Sequence, residues 1–97
     1  MEPYQITTED GKKIVEMIRT FLAEGTKPEE FQVKLDDFRE RLRDKLTDEE
    51  LSYAADVSLD LDLYEPNPDL CSADPLLLNE ERLRQSLKEY LDLAIVE

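Results

Sequence analysis

Carboxylates are the reactive groups this sequence holds in abundance: 25 Asp and Glu stand against 12 Lys and Arg, with no His and a single Cys. Paired carboxylates can act as general acid and base when one of them is desolvated and its pKa displaced. Nothing in the sequence suggests the dry cleft that this would need. The rest of a catalytic set is missing. Without His, a Ser or Cys nucleophile lacks its usual base, so Cys71 beside Ser72 in a Pro-rich stretch reads as incidental. Asp60-Leu61-Asp62 opens like a calcium-binding EF-hand loop. Its sixth position is Glu65 where Gly is required and its twelfth is Cys71 where Glu is required, which excludes that site. One Cys and no His make no conventional zinc set. Asp56-Val57-Ser58-Leu59 approaches the Asp-Ser-Leu that carries phosphopantetheine in acyl carrier proteins. The inserted Val and the position inside a helix argue against that reading. No enzyme activity, metal or cofactor is expected.

What remains for the carboxylates is binding, and their distribution is informative. The formal charge is -13. From Leu46 to Glu81, 36 residues contain eleven acids and no base, while the other 61 residues hold 14 acids and all 12 bases. A surface of one sign speeds encounter with an oppositely charged partner and rejects others. Phosphate-rich partners, nucleic acid and anionic membrane alike, would be repelled. A basic protein is the expected partner. Five of the eleven, Asp48, Glu49, Glu50, Glu80 and Glu81, fall where helix first turns favour acids and need no further cause. Of the six left, Asp74 lies further along the loop, and Asp56, Asp60, Asp62, Glu65 and Asp69 form a row leading from a helix into that loop; these five are the candidate binding residues.

The elements that must position this row follow from hydrophobic spacing. Ile14, Ile18, Phe21 and Leu22 share one helical face, which predicts a helix over 8–24, capped by Thr7 or Thr8 and ended by Gly25. Phe31, Leu35, Phe38 and Leu42 predict a second over 27–45, opened by a Thr26–Glu29 capping box worth about 1 kcal/mol. Its exposed face mixes Asp36, Asp37, Arg39, Glu40 and Arg41, an ordinary solvated surface. Thr47 and Glu50 form another box for a helix over 48–64, with Leu51, Ala54, Ala55, Val57 and Leu61 on its buried side. Leu59 to Leu63 alternates like a strand, but no Gly or Pro interrupts the helix and a lone strand would have no partner. Pro66, Pro68 and Pro75 make 65–79 a loop, with Leu76, Leu77 and Leu78 folded back on the core. Asn79 caps a last helix over 80–95, whose apolar face runs from Leu83 through Ile95. Glycine is scarce, and the expectation is one all-α domain, a four-helix bundle.

The unpaired Cys suits a reducing cytoplasm, and the first residues have neither the basic nor the apolar region of a signal peptide. No apolar run approaches the roughly 20 residues a membrane span needs.

Phe21-Leu22-Ala23, then Glu30-Phe31 at the start of the next helix, then Tyr64-Glu65-Pro66-Asn67-Pro68-Asp69 after an alanine-containing acidic helix, together with the closing Leu83-Arg84 to Leu91 helix, resemble the colicin D immunity proteins. That family includes related immunity proteins of contact-dependent growth inhibition. The resemblance spans roughly residues 13 to 93, and the aromatic-acidic-Pro turn is its most specific part. It implies a four-helix bundle that binds the C-terminal, tRNA-cleaving nuclease domain of a toxin one to one and fills the basic RNA cleft with carboxylates. By position, Asp62, Glu65 and Asp69 match acidic family residues and Tyr64 the aromatic, whereas Asn67 stands where an acid is expected. The competing expectation is an acidic adaptor or nucleic-acid mimic aimed at another basic protein.

Overall fold

The computed structural model describes residues 3–96, a mostly helical chain in the order β1 (Tyr4–Ile6), α1 (Glu9–Glu24), α2 (Pro28–Arg41), α3 (Asp48–Asp62), α4 (Pro68–Ala73), α5 (Glu80–Leu93), β2 (Ala94–Val96). Three of the four long helices begin on a side chain that caps them. Thr8 caps α1 by accepting from the Gly11 N–H at 2.9 Å, and Gly25 closes it in the left-handed conformation, φ 66°. Thr47 and Glu50 form the expected reciprocal box on α3. Asn79 caps α5 through the Arg82 N–H at 2.8 Å.

The second helix departs from expectation at both ends. Its N-cap is Lys27, which offers no side-chain bond, and Pro28 takes the first turn, so the Thr26–Glu29 box does not form. Thr26 lies one residue too early, with its carbonyl held by Arg84 Nη2 at 3.2 Å. At the other end α2 stops at Arg41 rather than 45, because the chain turns there to bury Leu46 and bring Thr47 to the start of α3.

The alternating segment is helical, as expected, but the helix ends at Asp62. Leu61 enters the core while Leu59 is 57% exposed, and Ala55 also faces outward. The 65–79 stretch is not a plain loop. Asn67 caps α4 by accepting from the Asp69 N–H, 2.9 Å, and a bridge between Tyr64 and Leu78 closes the base of the excursion. Leu77 and Leu78 are half-buried, but Leu76 is 71% exposed.

The last helix ends at Leu93, two residues short of the expectation, since Ala94–Val96 leave it to pair in parallel with Tyr4–Ile6. The chain is mostly helical, as expected, with a fifth short helix and a small two-stranded sheet added to the four long helices. Three-residue strands are too short to announce themselves by alternation. What holds them is tertiary: Ile6 is wholly buried and β1 packs on α3.

Side by side, α1 packs on α2 and α5, and α3 packs on the same two helices. Between them lie Ile14, Ile18, Phe21, Phe31, Leu35, Tyr53, Val57, Leu83 and Leu87, all buried. Phe21 and Phe31 stack with ring centres 4.8 Å apart. Arg84 of α5 sits 4.4 Å from the Phe21 ring centre and donates to the Phe21 carbonyl, so it supplies the cation that the last turn of α1 lacks. No helix among the described residues is long and apolar enough to cross a membrane.

Candidate protein-binding site

The six candidate residues do not form one row. Asp56 and Asp60 lie one turn apart on the flank of α3 that meets β1 and α5. Asp56 accepts the hydroxyl proton of Tyr4, and Asp60 accepts that of Ser86. Both carboxylates are half-buried and tie neighbouring elements to α3. Asp62 faces the other way, exposed and bonded by the Gln32 side chain of α2. The cause is helical geometry, in which residues two apart diverge by more than half a turn.

Two acidic regions result. The first is a seam in which Asp56, Asp60 and Glu89 border three tyrosines. The Tyr53 ring centre is 4.9 Å from that of Tyr4 and 6.0 Å from that of Tyr90. A cavity of about 160 Å³ opens between Asp60, Ser86, Glu89 and Tyr90. Burial raises the Asp60 pKa above its ordinary value, and the charges of Asp56 and Glu89 push the same way against the Ser86 hydrogen bond. Burial and the same three carboxylates push the Tyr90 hydroxyl up to about 12. The Tyr4 hydroxyl is raised by burial and by its bond to Asp56. Tyr4 donates to Asp56 and Tyr53 to the Tyr90 carbonyl at 3.0 Å, so the seam serves as a hydrogen-bonded joint.

The second region is a pole built by the end of α3 and the excursion after it. Asp62 and Asp69 are exposed there, and Tyr64 and Glu65 are half-buried. Glu65 is fixed by its backbone, whose N–H donates to the Leu78 carbonyl at 2.8 Å. Its carboxylate accepts from the Asn67 N–H at 3.1 Å, and its carbonyl accepts from the Cys71 thiol at 3.1 Å. Asn67, the residue that departs from the acidic pattern, thus acts as the cap of α4. Cys71 likewise has a structural contact.

Around Tyr64 the structure adds two acids that the sequence row did not contain. Its hydroxyl pKa is raised first by burial, then by the charges of Glu29, Glu80 and Glu65. Glu29 and Glu80 belong to the first turns of α2 and α5, where capping already explains them. Their convergence on Tyr64 depends on helix packing and has no local signal in the sequence.

The pole is electrostatically unbalanced in a further sense. Asp62 occupies the last turn of α3, the negative end of the helix dipole, as Asp60 does on the seam side, and that turn has no base. Each acid there costs about 0.3–1 kcal/mol in an exposed setting. Among the described residues, no group of three or more His, Cys, Asp or Glu is placed to hold a metal ion. The arrangement can instead offer hydrogen-bond acceptors and negative charge to a cationic surface. Set against family models, characterised proteins and solved structures, the chain has no significant match.

Proposed function

We propose that the chain is an immunity protein that neutralises a basic, RNA-cleaving toxin domain by filling its substrate cleft with carboxylates. The observation that carries this reading is the unbalanced pole: Asp62 exposed at the end of α3, Glu65 and Asp69 in the excursion that follows, and Glu29, Glu80 and Glu65 around Tyr64, with a 36-residue stretch that has no Lys or Arg. Acids placed where they cost helix stability become favourable once cations face them. The phosphate path of an RNA cleft supplies such cations. Carboxylates on α3 and α4 would occupy the positions of successive phosphates, with Tyr64 against a side chain or an unstacked base site.

The four long helices are read as the four-helix bundle of this family, with the paired strands and α4 as additions. The protein works as a monomer in a one-to-one complex in the cytoplasm, where the nuclease would meet its RNA. Charges desolvated at the centre of the interface, Asp62 and Glu65, set the dissociation rate, and rim acids such as Asp69 set the association rate.

The test is co-expression with a panel of colicin D-like nuclease domains, scoring survival and intact tRNA. The reading expects protection against one member, lost in an Asp62→Ala/Glu65→Ala variant that keeps its melting temperature. Protection by neither protein, or by both equally, would overturn the function or the site respectively.

A further inference from the structure

Away from the acidic pole, α1 and α2 diverge over a groove of about 420 Å³ whose floor is Met17, Phe21, Phe31 and Phe38. Its volume lies within the range of small-molecule sites, about 300–1,000 Å³, and its walls are mostly apolar, as such sites are. Phe21 and Phe31 are buried by their own stack, whereas Met17 and Phe38 remain half-exposed. An apolar surface left open in so polar a protein needs an occupant or a reason.

The rim supplies the sign of the occupant. Lys13 and Lys34 border the groove against one acid, Glu16. Glu16 is paired with Arg19, and Lys13 is 3.5 Å from Asp10. Lys34 is exposed and forms no ion pair among the described residues. In a chain of formal charge -13, this is a lining with one net positive charge over an apolar floor. A cationic or neutral apolar molecule would leave the Lys34 ammonium unused. A phosphate-like polyanion would find too few cations.

We propose that this groove binds an amphiphilic carboxylate, an aliphatic chain laid over Met17 and Phe38 with its carboxylate at Lys34 and Lys13. The site is independent of the toxin-binding reading, because none of the pole's acids is among the residues that line it.

Sodium decanoate below its micellar range is the probe, compared with decanol and decyltrimethylammonium and followed by the Met17 methyl and the Thr20 amide signals in NMR titrations of the full chain. Decanoate is expected to shift both signals and to bind about ten-fold more tightly than the cation, which corresponds to about 1.4 kcal/mol. Lys34→Glu is a surface change that should leave the melting temperature in place and reverse that order. Asp62→Asn should leave decanoate binding unchanged. The proposal fails if the three probes bind alike, if Lys34→Glu leaves the order unchanged, or if the shifts fall at other residues. It also fails if the wild-type chain forms a dimer that decanoate cannot displace and Lys34→Glu abolishes. A second copy would then be the occupant.

Discussion

The two ends of α3 carry the same residue types with opposite energetic consequences. At its start, Glu50 is wholly buried and accepts four hydrogen bonds: from the Thr7 and Thr8 N–H groups, the Thr8 hydroxyl and the Thr47 N–H, at 2.8–3.0 Å. Asp48 and Glu49 beside it face the positive end of the helix dipole. At its finish, Asp60 and Asp62 face the negative end, and Asp62 has only an exposed contact with Gln32. The first set of acids folds the protein. The second set opposes the helix dipole; Asp60 is tied to Ser86, and under the proposed function a cationic partner would offset the cost of Asp62. Counting acids cannot distinguish the two, whereas dipole direction and hydrogen-bond partners can.

The largest effect should come from Glu50. Glu50→Gln places an NH₂ among N–H donors and is expected to cost about 3 kcal/mol in urea unfolding, from lost charge-assisted bonds and an unsatisfied donor. Asp62→Asn should change stability by no more than about 0.5 kcal/mol, the ordinary range for a surface change. Equal losses at both positions would erase the contrast.

Gly11 sharpens the same comparison. Alanine in a helix interior normally stabilises by about 1 kcal/mol over glycine. A Cβ at Gly11 would lie 2.0 Å from Glu50 Oε2, so Gly11→Ala is expected to destabilise by about 1–3 kcal/mol instead. In a Glu50→Ala background the clash is gone, and the double-mutant cycle should show the cost recovered. Additive losses would mean that Gly11 has some other role.

The two ends should also separate by pH. Burial alone would raise the Glu50 pKa, but the hydrogen bonds from Thr47, Thr8 and Thr7 outweigh it, and the pKa is lowered. Its contribution is therefore present above the ordinary value of 4.5 and lost as pH falls through the lower folded value. The gap between wild type and Glu50→Gln should shrink below pH 4.5. Asp60 has the opposite sign, since its raised pKa means that the ionised form is the costly one. Asp60→Asn, which can still accept from Ser86, should be neutral or stabilising at pH 7, and its advantage should fade as pH falls toward 3.8. Unfolding curves at pH 3.5, 5 and 7, spanning the 4.5 and 3.8 reference values, decide both. A small effect of opposite sign is expected for Asp62→Lys, which matches the helix dipole and should stabilise α3 by about 0.3–1 kcal/mol in the same unfolding curves.

What the sequence made legible were features with a local cause. Caps at Thr8, Thr47 and Asn79, the end of α1 at Gly25, and the helical state of Leu59–Leu63 each depend on residues within a few positions of one another. The misreadings share a non-local cause. Thr26 was available as a cap, but Arg84, 58 residues away, holds its carbonyl and Pro28 starts the helix one residue later. The paired strands exist because β1 packs on α3 and β2, leaving the end of α5, pairs with it. Glu50 looked like a helix cap and is one, but its bonds to Thr7 and Thr8 span more than 40 residues.

The candidate site was legible to the same degree. The base-free stretch located it, and Asp62, Glu65 and Asp69 lie at one pole. Asp56 and Asp60 were grouped with them by spacing, yet Tyr4 and Ser86 draw those two to a different flank. Tyr64 brings in Glu29 and Glu80 from two other helices, which only the packing could reveal.

The most direct test of the account removes equal charge from the two ends of α3. An Asp48→Asn/Glu49→Gln variant and an Asp62→Asn/Glu65→Gln variant would each be titrated calorimetrically against whichever nuclease domain the wild type neutralises in the co-expression test. The account expects the second variant to lose at least about 2 kcal/mol of binding with its stability intact. The first should bind as wild type does while melting lower. Equal losses of affinity in the two would show that net charge alone governs binding and would contradict a site at the pole.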